Sequence, residues 1–549
     1  MTAPRRPVVV FAAATLLYVV TGVILTAGHG YLMGDALSRV SATQAALFSR
    51  DPHLSAIGFV FTPLTSLAQL PMVALAPVFP WLTTWGISGV LMSSLFMGGA
   101  VTMIYGIGTD RGAPYWLTLC VTVLFAVNPM VVFYAGNGMS EALFVFFLCW
   151  AIRRLMRWVR TDDAHDLTAA GIALGLAYLT RYDAVAPAVA AGAFVWVLSA
   201  RRRGGAQRWW AAGMDAFLVL SPIGMAVVVW AATSWLITGQ AFQQFTSQYG
   251  NAAILSQEGA AGGGAEAAAL QYSIAAMLVL GPALPLLIPV AGALAVRRRD
   301  LQIVVPLLLC GAVLAFQTFS YVSGSTFAFL RFYVGAIPLA AILALTIAPG
   351  RGEPPSRRPG RAAAAAQSPR PAPVAGLLLT VALLAVSVPL TTLGMNNQLL
   401  AVQEYALGAV LRPQPENASE RYANQRAIAA TFSTGRKLAD HLDSLHLPPG
   451  SVLMDTVYGF AVVVASDRPD QFVVPSDRDF VRVLNRPAER GVKYILAVPT
   501  IGRGASDAIN RRYPTMFENG AQIATLELEI PSVGASGVGW RLYRVLGSS

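Results

Sequence analysis

The sequence predicts a mainly helical membrane protein: a polytopic bundle of transmembrane helices with a small soluble α/β domain at its C-terminal end. Three observations predict it. Of the 549 residues, 55% are hydrophobic and only 12% are charged, about half the charged fraction of an ordinary soluble chain. Apolar runs at 7–26, 83–105, 114–134 and 211–237 reach the roughly 20 residues that cross a bilayer as a helix. From Gly394 onward, charges become frequent and balanced and the apolar runs shorten to strand length.

The first run follows Arg5 and Arg6. It is long for a signal segment, and Ala27-Gly28-His29-Gly30 is a poor cleavage site, so the first helix is expected to be retained. Arginines cluster at 5–6, 111, 153–160, 201–208, 297–299 and 351–370, and such clusters mark cytoplasmic loops. Placing them all on one side requires that 56–79 does not cross. Pro63, Pro71 and Pro77 interrupt it, and each removes a backbone donor that lipid cannot replace, so a juxtamembrane or re-entrant helix is expected there.

The spans are then about 7–27, 82–106, 114–134, 139–158, 167–180, 184–200, 211–236, 271–295, 301–320, 332–349 and 373–393. That is about 11 helices with a cytoplasmic N-terminus. Through residue 393, the cytoplasmic side carries 19 arginines against four outside, namely Arg39, Arg50, Arg181 and Arg331. The net charge of +11 thus reads as a topology signal in the inner membrane, and no nucleic-acid partner is expected. The domain plan is a transmembrane catalytic module at 1–349 with a first periplasmic loop at 28–81, a disordered Pro/Arg/Ala-rich cytoplasmic linker at 350–372, a last span at 373–393, and a periplasmic or extracellular α/β domain at 394–549.

In that last domain, 424–446 has helical spacing, and 451–454, 461–465, 472–474, 494–498, 523–530 and 540–545 read as strands. It shows no Gly-rich phosphate loop and no His/Cys cluster, and no chemistry of its own is assigned to it. Cys120, Cys149 and Cys310 lie in apolar runs without the spacing of a disulfide framework or thiolate metal site. No cofactor is expected, and a divalent metal stays open.

Ionisable groups near a membrane are costly, so the few on the outer side are the functional candidates. Asp35 follows the first span, where its carboxylate could act as a general base toward a hydroxyl or cap the run beginning at Ala36. Glu141 opens a helix after the short turn holding Tyr134 and Asn137, where its charge also suits the helix dipole. Arg181, Tyr182 and Asp183 share one turn; Arg181 either pairs with Asp183 or holds an anion such as a lipid phosphate. Arg331, followed by Tyr333, enters a later span, where snorkelling to headgroups is the alternative. Outer cations with carboxylates at loop ends suit a phosphodiester with a polyprenyl tail and an outward-facing sugar: the cations would stabilise the leaving phosphate, the carboxylate would deprotonate the acceptor.

The order of these residues resembles the C-type (GT-C) membrane glycosyltransferases, the group that includes protein O-mannosyltransferases and the lipid A aminoarabinose transferase. Asp35, then Asp51-Pro52-His53 and Thr62-Pro63-Leu64, resemble that family's first outer loop. Pro129, Tyr134 and Glu141 resemble its next outer turn, Gly175-Leu176-Ala177-Tyr178-Leu179-Thr180-Arg181 a helix end, and Arg331-Phe332-Tyr333 with Pro338 a late span entry. Asp35 is followed by Ala36 where many relatives carry a second acid, and His53 lies farther from Pro63 than usual.

The resemblance covers about 7–349 and implies inverting transfer from a polyprenyl-phosphate-linked sugar. Asp35 would be the base, and Arg181 and Arg331 would contact the donor phosphate. Arg39, His53, Tyr134, Asn137, Glu141, Tyr182, Asp183 and Tyr333 are the candidate substrate contacts. The acceptor would be a cell-envelope glycan, glycolipid or protein outside the membrane, with membrane lipids as further partners. A composition rich in Ala, Gly and Arg with few Lys suits a GC-rich actinobacterial genome. The alternative reading is a membrane transporter or lipid flippase, for which inverted repeats are the usual mark; the sequence shows none.

Overall fold

The computed structural model describes residues 5–547 apart from 206, 248, 251–252, 256–265, 349–373, 532 and 535–538. The expected linker at 350–372 lies outside the described residues. The chain is a helical membrane bundle with a small C-terminal sheet, as its composition requires. Among the described residues, seven helices are long and apolar enough to cross a membrane: Arg5–Gly28, Ile87–Arg111, Tyr182–Arg202, Arg208–Thr238, Leu301–Val322, Leu330–Ile347 and Val374–Met395. The number rises to nine if each of two bent pairs forms one span.

The bends have local causes. Tyr115–Ala126 and Pro129–Ala135 meet at 62°, where Pro129 cannot donate to the preceding turn and the Asn128 side chain caps the new helix by accepting from the Met130 N–H at 3.1 Å. Glu266–Leu280 and Leu284–Arg298 meet at 78°, across Gly281-Pro282. Glu141–Thr161 and Ala164–Tyr178 complete the expected set of helical segments. The first, however, carries four arginines in its C-terminal half and the second has only 15 residues, so neither counts as a span by length and composition.

The proline-interrupted stretch 56–79 breaks into short helical turns, including Leu64–Leu67 and Leu70–Val73. Leu64 N–H donates to the Leu179 carbonyl at 2.9 Å, which pins this stretch beside Arg181. Small residues set the neighbouring turn. A side chain on Gly136 would meet the Gly22 backbone at 2.9 Å, and one on Gly138, at φ +77°, would meet Gly89 Cα at 3.1 Å and Ala36 Cβ at 3.3 Å. Close backbone approach of this kind is how membrane helices pack. Here it seats the Asn137–Glu141 turn directly against the loop helix Gly34–Phe48 that carries Asp35.

The C-terminal sheet has five strands, β1 (Val452–Leu453), β2 (Phe472–Val473), β3 (Tyr494–Ala497), β4 (Ala524–Ile530) and β5 (Trp540–Val545), in the order β2-β1-β3-β5-β4. The first three are parallel, and β5 pairs antiparallel to β3 and β4. The expected strand at 461–465 is instead the second half of a helix, Thr456–Ala465. Asp455 caps it, accepting from Val457 N–H at 2.8 Å, and Ala461 and Val464 are buried against Leu37 and Val40 of the loop helix. Packing of this face outweighs the weak strand preference of its valines. The expected helix at 424–446 is two, Glu420–Ala429 and Ser433–Ser444. Met395, Ala401, Ala406 and Val410 belong to the bundle core, whereas the sheet's own cores begin with Leu438. Residues 396–411 are therefore part of the membrane module's packing although they follow the last span.

Candidate functional site

Asp35 lies in the first turn of Gly34–Phe48, but Met33 is the cap residue and no side chain caps that helix. The Asp35 carboxylate faces a tertiary partner instead: Arg331 Nη2 donates to its Oδ2 at 2.8 Å. The other arm of Arg331 donates to Gln403 Oε1 at 2.6 Å, and its Nε lies 3.4 Å from Glu141 Oε1. The same Glu141 oxygen accepts from Arg181 Nη1 at 2.8 Å, and Arg181 Nε donates to Asp183 Oδ2 at 2.8 Å. Asp35, Arg331, Glu141, Arg181 and Asp183 thus form one continuous chain of charge across the loop helix and the starts of three further helical segments.

Arg331 and Glu141 are buried, at 5% and 1% side-chain exposure, while Asp35 is 38% exposed. Glu141 Oε2 is buried and lacks a hydrogen-bond partner among the described residues, as does Arg331 Nε. Buried charges of this kind persist only when paired, so these arginines are held by carboxylates rather than snorkelling to headgroups. Arg39 reinforces Asp35: its Nη1 donates to the Asp35 main-chain carbonyl at 3.0 Å while its guanidinium lies over Phe61. Burial alone would raise the Asp35 carboxyl, but the charges of Arg331 and Arg39 outweigh it and hold the group below the usual carboxylate range.

Of the remaining sequence-predicted residues, Tyr134 joins the site's edge, donating to Glu404 Oε1. The Asn137 side chain accepts from Met139 N–H at 3.1 Å and shapes its own turn. Tyr182 reaches the Val60 carbonyl at 3.3 Å, and Tyr333 shares a hydrogen bond with Ser273 at 2.6 Å. His53 is elsewhere: its Nε2 is 3.1 Å from the Ser476 carbonyl and its Nδ1 3.0 Å from Ser55 Oγ. It belongs to the seam where the soluble domain docks, beside Arg50, whose guanidinium binds Asp477 at 3.0 Å and also Asp479.

A cavity of about 470 Å³ opens over Asp35, between the loop helix and the soluble domain. Its far wall carries Tyr458, Phe460, Arg503 and Trp540 from that domain. Arg503 lies 5.6 Å over the Tyr458 ring and adds to the field that keeps Asp35 ionised. Gln403, Glu404 and Arg503 are site residues that the sequence reading missed. Glu404 meets the same criterion as Asp35, an acid shortly after a span, but it was absorbed into the soluble domain; Arg503 sits in an unremarkable Gly-Arg-Gly loop. Burial pushes the Glu404 carboxyl above its ordinary range despite the Tyr134 hydrogen bond and nearby Arg331. Among the described residues, no group of three or more His, Cys, Asp or Glu could hold a metal ion.

No protein-family model matches this sequence, and no curated protein matches it. Solved structures do. The crystal structure of ArnT from Cupriavidus metallidurans in the apo state aligns over 100% of this chain and 99% of its own at TM-score 0.56 and 14% identity. The Saccharomyces cerevisiae protein O-mannosyltransferase Pmt1-Pmt2 complex bound to the sugar donor aligns over 47% of this chain and 37% of its own, at 0.32 and 13%. The apo Archaeoglobus fulgidus oligosaccharyltransferase aligns over 90% and 70%, at 0.37 and 11%. At these identities the likeness is one of architecture, carried by the ArnT alignment: this chain has an ArnT-like GT-C fold.

Proposed function

We propose that this protein is a glycosyltransferase of the plasma membrane that moves a sugar from a polyprenyl-phosphate donor to a hydroxyl on the periplasmic or extracellular side, with inversion at the sugar carbon. The observation that carries this reading is the ion-pair chain Asp35, Arg331, Glu141, Arg181, which meets the 470 Å³ cavity at Asp35. It links a carboxylate that opens onto the cavity to two cations, Arg331 directly and Arg181 through Glu141, the pairing that a displacement at a sugar phosphate needs. The shared architecture with ArnT, a lipid A aminoarabinose transferase, supports it.

In this reading the donor phosphate binds Arg331 and Arg181. The acceptor hydroxyl, held in the cavity under the soluble domain, attacks the sugar carbon from the face opposite the phosphate. Its proton passes to Asp35, the bond between the sugar carbon and the phosphate oxygen breaks, and the electron pair stays on the phosphate, where the guanidinium groups stabilise it. Arg331 couples the two halves of the reaction. In the resting site it lowers the basicity of Asp35; drawn toward a bound phosphate, it releases that carboxylate to accept the proton. The acceptor is a cell-envelope glycan, glycolipid or protein, recognised in part by the roof that Tyr458 and Arg503 supply.

The test is direct. Full-length protein in liposomes is offered a panel of polyprenyl-phosphate-linked sugars with an envelope extract, and released polyprenyl phosphate is measured by mass spectrometry. Release from at least one donor that disappears in Asp35→Asn is expected. Unchanged turnover in that variant overturns the assignment of the base.

A further inference from the structure

A second cavity, of about 580 Å³, lies on the other side of Phe432, whose ring lines both. Three cations converge on it, Arg426, Arg436 and Lys437, against one carboxylate, Asp440. Arg436 is fixed: its guanidinium stacks on Trp85 at 3.7 Å and donates to the Thr84 carbonyl. Among the described residues, none of the three cations takes part in an ion pair, whereas Arg50, Arg153, Arg181 and Arg331 each lie against a carboxylate. Three cations against the single carboxylate Asp440, which acts on Arg436, leave a net positive concave space that suits an anion.

The position of the cavity narrows the anion. His29, on its wall, follows the first span directly, and Trp85 stands two residues before Ile87–Arg111, so it opens at the level where two membrane helices emerge. Aromatic and basic residues at that level are the usual partners of headgroups. Apolar side chains next to its wall in sequence are open: Leu411, which follows Val410, is 63% exposed, and Trp81, one helical turn before Trp85, is 47% exposed. Such surface suits acyl chains rather than water.

We propose that this cavity binds the phosphate headgroup of an anionic membrane phospholipid. The phosphate sits among Arg436, Lys437 and Arg426, and the acyl chains run over Trp81 and Leu411. A lipid held there is one aromatic ring from the Asp35 cavity. The site is independent of the transfer reaction and needs neither donor nor turnover to be detected.

The experiment titrates full-length protein in an uncharged detergent with dioctanoyl-phosphatidylglycerol, following binding by thermophoresis, with dioctanoyl-phosphatidylcholine and inorganic phosphate as comparison arms. Saturable binding of the anionic lipid is expected, at least tenfold tighter than either comparison and weakened by salt. Arg426→Glu with Lys437→Glu, both exposed side chains, should weaken it at least tenfold, while Arg482→Glu, exposed elsewhere on the soluble domain, should leave it unchanged. Arg436→Gln should weaken it too, with its melting temperature recorded because the Trp85 stack is lost. Equal affinity for phosphatidylcholine or for inorganic phosphate, or unchanged affinity in the Arg426/Lys437 variant, overturns the proposal.

Discussion

The two ends of the helical bundle both carry arginine–carboxylate pairs, but they are built differently. At the end away from Asp35, Arg153 pairs with Asp110 at 24% and 26% side-chain exposure, Arg202 with Asp162 at 27% and 52%, and buried Arg111 with Asp300 at 15%. Two of these pairs are open to water on both sides, and the third reaches it through Asp300 alone. At the Asp35 end, Arg331 and Glu141 are both within 5% of full burial, and Glu141 serves two arginines with one oxygen while the other goes unused. The first arrangement is what a loop charge does when water is near, and it contributes little. The second maintains charge where its desolvation is costly, which is justified by a ligand or a reaction rather than by stability.

The sharpest way to break that contrast is activity. Asp35→Asn should lower sugar transfer by about 10³-fold, the scale of a lost general base, with helical content retained. Next comes stability. Glu141→Gln takes one carboxylate from Arg331 and from Arg181, which keep Asp35 and Asp183, and should cost about 2–3 kcal/mol, read by thermal or denaturant unfolding, whereas Arg153→Gln at the opposite end should cost less than about 1 kcal/mol. Equal costs would erase the distinction between the two ends.

The pH dependence sharpens it further. The charges of Arg331, Arg39 and Arg503 lower the Asp35 carboxyl, so its ionised form, and the stability its pairing contributes, persist above the ordinary carboxylate range and are lost as pH falls through the lowered value. Arg503→Gln removes part of that field and should move the acid limb of the rate profile to higher pH; an unmoved limb would show that the roof does not act on the base. The smallest effect lies in the soluble domain, where the shift is opposite. Burial, with the nearby charge of Asp455, pushes the Asp507 carboxyl up to about 7. Its neutral form favours the folded domain, so this stabilisation is complete below about pH 4 and fades as pH rises to about 7. Asp507→Asn, which keeps the helix cap to Ile509 and Asn510, should flatten the melting temperature over that interval.

Much of the site was legible in the sequence because charge near a membrane is rare. Asp35, Arg181 and Arg331 stood out by position alone, and the structure joins them through Glu141. His53 did not join them, since its motif fits a loop that the soluble domain covers. Glu404 and Gln403 are not legible in the sequence because composition changes at Gly394, while the chain between 396 and 411 still packs into the bundle core. The strand expected at 461–465 failed for a related reason: an alternating or β-branched run does not reveal which neighbour will bury it.

By itself, then, the sequence determined that this chain is a bundle of membrane helices with a soluble domain after the last of them, and which few charges could matter. Length of apolar run, proline breaks and the cost of a charge in lipid are local properties, readable residue by residue. What only the tertiary structure decided is who faces whom: Arg331 on Asp35, 296 residues away, Glu141 between two arginines, and Arg503 over the cavity from a separate domain. Those partners are set by close packing of glycine-lined helices and by the docking of a sheet domain onto the loop helix. The energy of such contacts depends on many residues at once, so no segment of the chain encodes them alone.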